Sequence, residues 1–236
     1  MEKETAGKPV YALGDRFATA CLMTAIGGFL DAYTFTQHGG VFASTQTGNL
    51  VLFAISIMNG QFTAALQKIV PVGLFCCGIL STHWVEHHLN GTGRNFWRLG
   101  VILVEIVIFV AVGFLPTRTP AILITSAIAF TTALQMTAFR SMNGLGYANM
   151  FSTGNLQKAM NNLYSTLATR NRAAGEKFGH YGGLVLCFVA GALVSSLAGR
   201  WLTTRSIWVV AGILVIFSTV QLRLSLSAEI YLDRNH

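Results

Sequence analysis

The sequence has little charge. Asp, Glu, Lys and Arg make up 11% of its 236 residues, against about 25% in a soluble globular domain. So few charges cannot cover a water-facing surface, and most of the chain must face another solvent. Cysteine is equally scarce. Cys21, Cys76, Cys77 and Cys187 lie within apolar segments, without disulfide or metal-ligand spacing, which excludes a disulfide-stapled secreted domain. No nucleophile–base pair, phosphate loop or dinucleotide fingerprint occurs, so neither an enzyme nor a cofactor-binding protein is expected. The net charge of +7 does not indicate nucleic acid, because the basic residues stand singly at the ends of apolar runs.

What the sequence does have is apolar length. Hydrophobic residues make up 53% and the mean hydropathy is +0.54, so the expected solvent is lipid. The expected fold is an all-α integral membrane protein, a single membrane domain over residues 1–236. Six segments are long and apolar enough to span: 17–36, 69–85, 99–115, 121–139, 182–202 and 207–222. The first is expected to remain uncleaved, because no small-residue cleavage site follows it. Segments 42–58 and 147–165 are too polar to face lipid, the second carrying Lys158, Asn161 and Asn162. They read as half-helices or re-entrant segments shielded by protein.

Loop charges favour this count. With six spans and a cytoplasmic N-terminus, twelve of the sixteen Lys and Arg lie inside and four (Lys68, Arg118, Arg200, Arg205) outside. With eight spans Lys158 falls within the membrane and the remainder splits ten to five. Both arrangements place the two termini in the cytoplasm.

The two polar segments are related. Thr47-Gly48-Asn49-Leu50 and Thr153-Gly154-Asn155-Leu156 stand 106 residues apart, and Gly73, Cys77 and Ser81 align with Gly183, Cys187 and Gly191 at a spacing of 110. The chain therefore reads as two repeats, about 15–117 and 120–224. Three full spans in each would give the halves opposite orientations, the plan of inverted-repeat transporters.

These motifs carry a family resemblance. Gly28-Phe29-Leu30-Asp31-Ala32, Gly40-Val41-Phe42 and Thr47-Gly48-Asn49 in the first half, with Ala133-Leu134-Gln135 and Phe151-Ser152-Thr153-Gly154-Asn155 in the second, resemble the YoaK-like family of uncharacterised bacterial membrane proteins. Met136 departs, standing where that family often has Asn. The resemblance implies a six-span protein of the bacterial inner membrane and supplies no substrate.

The candidate site gathers the rare polar groups. Glycine permits close backbone approach, threonine can cap a following helix, and an asparagine amide both donates and accepts. Two TGN elements meeting at a pseudo-two-fold axis would set Thr47, Asn49, Thr153 and Asn155 around a central substrate, joined by Asp31 and Gln135. The alternative is that they merely satisfy the backbone at two buried helix starts. Asp31 and Glu105 are the acids well inside spans, where an ionisable group is a functional hypothesis by default. Glu105 must be protonated, hydrogen-bonded or paired, and is the candidate for proton coupling. Asp31 has Arg140 as its candidate ion-pair partner. His83 and His87 lie four apart but match no HExxH pattern and lack a third ligand, so no metal is expected. Cys77 and Cys187 sit in small-residue stripes suited to close helix approach.

The expected function is a small-molecule permease or secondary transporter. The competing class is a structural or regulatory membrane protein that uses the same motifs for packing. The expected partners are the bilayer and a small-molecule substrate, with a second copy of the chain left open.

Overall fold

The computed structural model describes residues 16–89 and 96–233. The loop charges assigned to Lys3, Lys8, Arg94 and Arg234 lie outside the described residues. Within them the chain forms α1 (Phe17–Gln37), α2 (Gln46–Met58), α3 (Phe62–Leu89), α4 (Phe96–Phe114), α5 (Ala121–Ala138), a hairpin of β1 (Ser141–Met142) and β2 (Leu145–Gly146), α6 (Thr153–Thr169), α7 (Arg172–Leu202), a 3-10 turn (Thr203–Ser206) and α8 (Ile207–Asp233).

Among the described residues five stretches are long and apolar enough to cross a bilayer: Phe17–Gln37, Phe62–His88, Trp97–Phe114, Ala121–Ala138 and Arg172–Arg223. The fifth holds both α7 and α8, which part at Thr203, where φ is 49°. All six apolar segments of the sequence are thus helical, and α3 and α7 extend well beyond their expected starts at 69 and 182. Leu80, Val107, Phe114, Leu186, Leu193 and Ile216 are exposed, a belt that water would not tolerate on a monomer. The architecture is an all-α membrane fold.

The remaining two helices are short. At 1.5 Å per residue, the 13 residues of α2 reach about 20 Å and the 17 of α6 about 26 Å, against a hydrocarbon core of about 30 Å.

α1 and α5 form the centre. Each has twelve buried residues, of 21 and 18 respectively, whereas α2 and α6 have two each. Threonine is common on these two helices without leaving polar groups unpaired. Thr24 donates to the Ala20 carbonyl at 2.7 Å, and Thr137 to the Ala133 carbonyl at 2.9 Å. Such back-bonding within the helix satisfies the hydroxyl where water cannot reach.

Helix pairing is reciprocal. α1 packs along α7 and α5 along α3, α2 lies on α3 as α6 lies on α7, and α4 meets α8. Glycine makes the closest contacts. A Cβ on Gly28 would run into the Phe188 carbonyl and one on Gly191 into the Ala25 carbonyl, so α1 and α7 touch backbone to backbone. Between α3 and α5 the contact residue is Gly78, whose added Cβ would lie 2.6 Å from the Phe130 carbonyl oxygen. The expected stripe of Gly73 and Cys77 is instead exposed, and a Cβ on Gly73 would meet nothing within 4 Å. α3 is rotated so that Pro71, Phe75, Gly78 and Thr82 face inward.

α1 ends at His38, which is 4% exposed and packs at a tilt against Tyr33 with ring centroids 4.8 Å apart. Burial lowers its pKa from 6.5 to about 4. Because the folded state resists protonation, stability is complete above pH 6.5 and falls as the pH drops toward 4. The parent protein should lose thermal stability between pH 6.5 and 4, and His38→Gln is expected to flatten that loss. Gly191→Ala and Gly78→Ala should each lower stability by about 1–3 kcal/mol through overpacking. Gly212→Ala, with open space around it, should be neutral or raise stability by up to about 1 kcal/mol through helix propensity. Thermal unfolding in detergent separates the three, and an unchanged midpoint for Gly191→Ala would contradict the α1–α7 contact.

Candidate functional site

The site begins where two loops turn back into the bundle. After α1, Gly39 and Gly40 take φ of 82° and 62°, a left-handed geometry open to glycine at little cost. The turn is held by Lys68 of α3, which donates to the Gly39 and Gly40 carbonyls. The chain then runs to α2, and the loop after α5 runs likewise to α6.

Each returning strand is clamped by the asparagine of its TGN element. Asn49 Oδ1 accepts the Phe42 N–H at 2.9 Å, and its Nδ2 donates to the Phe42 carbonyl at 2.8 Å. Asn155 does the same to Ala148, at 3.1 and 2.6 Å. Both side chains are wholly buried and both reach the residue seven positions back. A primary amide suits this task because it presents a donor and an acceptor side by side, matching the N–H and C=O of one extended residue. Thr47 and Thr153, by contrast, are exposed within the first turns of their helices and do not meet. The helix N-caps are Thr45 and Ser152, and neither makes a side-chain cap bond of its own.

Asp31 holds the residues just before α2. From α1 its Oδ1 accepts the Ser44 N–H at 2.7 Å, and its Oδ2 accepts the Ser44 hydroxyl at 2.9 Å and the Thr45 hydroxyl at 2.6 Å. A carboxyl group thus sits at the N-terminus of α2, where the helix dipole favours negative charge. Arg140 does not pair with it. Arg140 lies just past α5 and binds Glu86, near the end of α3, at 2.8 Å. The correction follows from position: Asp31 is enclosed by the first loop, while Arg140 is at the exposed end of the bundle.

The two loops touch each other. The Ser44 hydroxyl contacts the Met150 carbonyl, joining positions 106 residues apart, the spacing of the TGN elements. Around them, Thr132 of α5 donates to the Ala43 carbonyl at 3.0 Å, and Gln135 Nε2 to the Met23 carbonyl at 3.1 Å. Asn149 Nδ2 donates to the Gln135 and Phe139 carbonyls at 3.1 and 2.7 Å. Thr132 and Asn149 bind backbone and belong to no motif, so the sequence does not mark them as site residues, and Ser44 carries no motif that points to its bonds with Asp31. The cluster is incompletely satisfied: Gln135 Oε1, Asn149 Oδ1 and Ser152 Oγ are buried without partners.

Glu105 joins none of these bonds. It is fully buried on α4, on the face shared with Ile102 and Phe109, and both carboxyl oxygens lack partners. Among the described residues no group of His, Cys, Asp and Glu is placed to hold a metal ion. His83 lies 3.5 Å from Glu86, in the surface cluster that includes Arg140.

The clamps make a sharp prediction. Asn→Asp keeps the shape and removes the donor, leaving a buried carbonyl unpaired at a cost of about 1–3 kcal/mol. Asn49→Asp and Asn155→Asp should each destabilise by about that amount in thermal unfolding, and near-equal losses are expected because the two geometries match. A neutral result at either position would contradict the clamp.

No curated protein and no solved structure matches the chain. The family model for the protein of unknown function DUF1275 matches residues 19–220, a range that contains the glycine contacts, both TGN elements and every site residue named above. The chain therefore belongs to the DUF1275 family, in agreement with the resemblance that its TGN motifs carry.

Proposed function

We propose that the protein is a permease or secondary transporter for a small molecule, with no enzymatic activity. It crosses the bacterial inner membrane six times, by α1, α3, α4, α5, α7 and α8, with both termini in the cytoplasm. The halves carrying α1–α4 and α5–α8 have opposite orientations. The reciprocal pairing of α1 with α7 and α5 with α3 supports that plan. So does the contact between Ser44 and Met150, since equivalent positions of two repeats meet at the axis that relates them.

The observation that carries the reading is the unsatisfied polar cluster between the loops. Gln135 Oε1, Asn149 Oδ1 and Ser152 Oγ are buried and unpartnered. A core built for packing alone would pair or remove such atoms, because each costs about 1–3 kcal/mol. A site that receives a polar solute or water in another state of the cycle has a use for them. Substrate contact thus belongs to Gln135, Asn149 and Ser152, together with Asp31. Asn49 and Asn155 hold the loops that carry the site.

Protons are the natural coupling ion. Ser44 has one hydroxyl proton and faces two acceptors, Asp31 Oδ2 and the Met150 carbonyl. A proton on Asp31 would satisfy both contacts at once. Glu105 is a second carboxyl within the membrane, buried and unpaired.

The competing reading, a non-transporting subunit, draws on the full use of the Asn49 and Asn155 amides by backbone. The two readings part over solvent access. In a background lacking the four native cysteines, Ser152→Cys and Gln135→Cys should react with a membrane-impermeant thiol reagent in intact membranes. Ala129→Cys, from the fully buried face of α5, should not. Protection of all three would reject the transporter. Glu105→Leu should raise thermal stability by about 1–3 kcal/mol by removing an unpaired buried polar group, while abolishing any proton-driven flux in proteoliposomes.

A further inference from the structure

Outside the central cluster, a cleft of about 620 Å³ lies between the segment joining α4 to α5 and the turn joining α7 to α8. Its size falls within the roughly 300–1,000 Å³ of small-ligand sites. Two arginines line it, Arg118 from one side and Arg205 from the other, together with the hydroxyl residues Thr117, Thr203 and Thr204. No acidic residue lines the cleft, and among the described residues neither arginine has a carboxylate in salt-bridge range. Arg205 is held over the Trp208 ring, 5.8 Å from its centroid. The Trp208 indole N–H is in turn fixed at 3.2 Å to the Val110 carbonyl. Backbone packing shapes the floor, where Gly113 leaves room for Trp208 that a Cβ would fill.

The rim is apolar. Trp201 is 82% exposed and Phe114 74%, and both line the cleft. It therefore presents two cations at the ends of four helices, beside aromatic groups that face lipid. Arginine pairs bind phosphate through parallel N–H donors, and exposed Trp at a helix end is characteristic of the membrane interface. Basic recesses between transmembrane helices accommodate phospholipid head groups by the same chemistry.

We infer that this cleft is a binding site for a phosphate group, with Arg118 and Arg205 as its ligands and Trp201 packing against whatever apolar portion the ligand carries. The source of the phosphate is an anionic phospholipid of the surrounding leaflet or a soluble phosphate compound. The site is independent of the transport reading, since it shares no residue with the central cluster.

The test uses the full chain purified in a zwitterionic detergent. Phosphatidylglycerol should raise the unfolding temperature where phosphatidylcholine does not, and native mass spectrometry should show one tightly held anionic lipid per chain. The R118Q/R205Q double variant should lose at least about tenfold in affinity, the effect expected for two charge-assisted contacts. It should unfold like the parent in phosphatidylcholine alone, which separates loss of the site from loss of the fold. R118K/R205K, which keeps charge and loses the bidentate geometry, should fall between. Stabilisation by inorganic phosphate alone, equal in size and insensitive to Trp201→Ala, would assign the same site to a soluble phosphate ligand. Stabilisation by phosphatidylglycerol that Trp201→Ala weakens would assign it to lipid. Equal response of the double variant and the parent, or no discrimination by the parent among phosphatidylglycerol, phosphatidylcholine and inorganic phosphate, would overturn the proposal.

Discussion

A loop that turns back into the interior of a helical bundle must satisfy its backbone without water, and the two asparagine clamps meet that requirement here. In hydrocarbon each unpaired N–H or C=O costs several kcal/mol, so a loop enters only if protein supplies its bonds. Asn49 and Asn155 each supply both bonds of one residue on the returning strand. With the strands fixed, α2 and α6 can start within the bundle, and the Ser44–Met150 contact can form between them. The glycine contacts act one level higher. Backbone contact at Gly28 and Gly191 closes α1 on α7, and Gly78 closes α3 on α5. Together these pairs wall off α1 and α5, on which the clamped loops rest.

Much of this was legible in the sequence, for reasons that also mark where legibility ended. Hydropathy located every long helix, because lipid demands a run of apolar residues whatever the packing. The repeated TGN located both loops. The clamp partners stayed hidden because an amide that binds backbone places no demand on the partner's side chain. Phe42 and Ala148 have nothing in common except their position seven residues before an asparagine. The same reasoning covers Thr132 and Asn149, whose partners are main-chain atoms.

Two expectations failed on helix rotation. Spacing shows that Gly73 and Cys77 share a face of α3, but not which way the face points, and it points outward. Charge complementarity matched Asp31 with Arg140, but each acid found a nearer donor. Asp31 took the start of α2, and Glu86 took Arg140. In a chain with nine acids, pairing by sign alone leaves several equally good matches, and only the fold separates them.

The halves share their clamps but not their charge, and the difference is concentrated at the two short helices. The Asp31 carboxyl binds Ser44 and the N-cap Thr45 just before α2, so an acidic side chain lies beside the positive end of that helix. Neither short helix has an acidic residue in its first turn, but α6 gains no carboxyl from α5, where Thr137 bonds back to the Ala133 carbonyl, and its N-cap Ser152 keeps a buried hydroxyl without a partner. Equivalent backbone geometry therefore produces inequivalent fields on either side of the Ser44–Met150 contact. A neutral polar group meets donors and acceptors on both sides. Negative charge is accommodated better beside α6 than beside α2, and a proton better beside Asp31. In the transporter reading, a scaffold repeated without its charges gives one end of the proposed site to a proton and the other to a different chemical group.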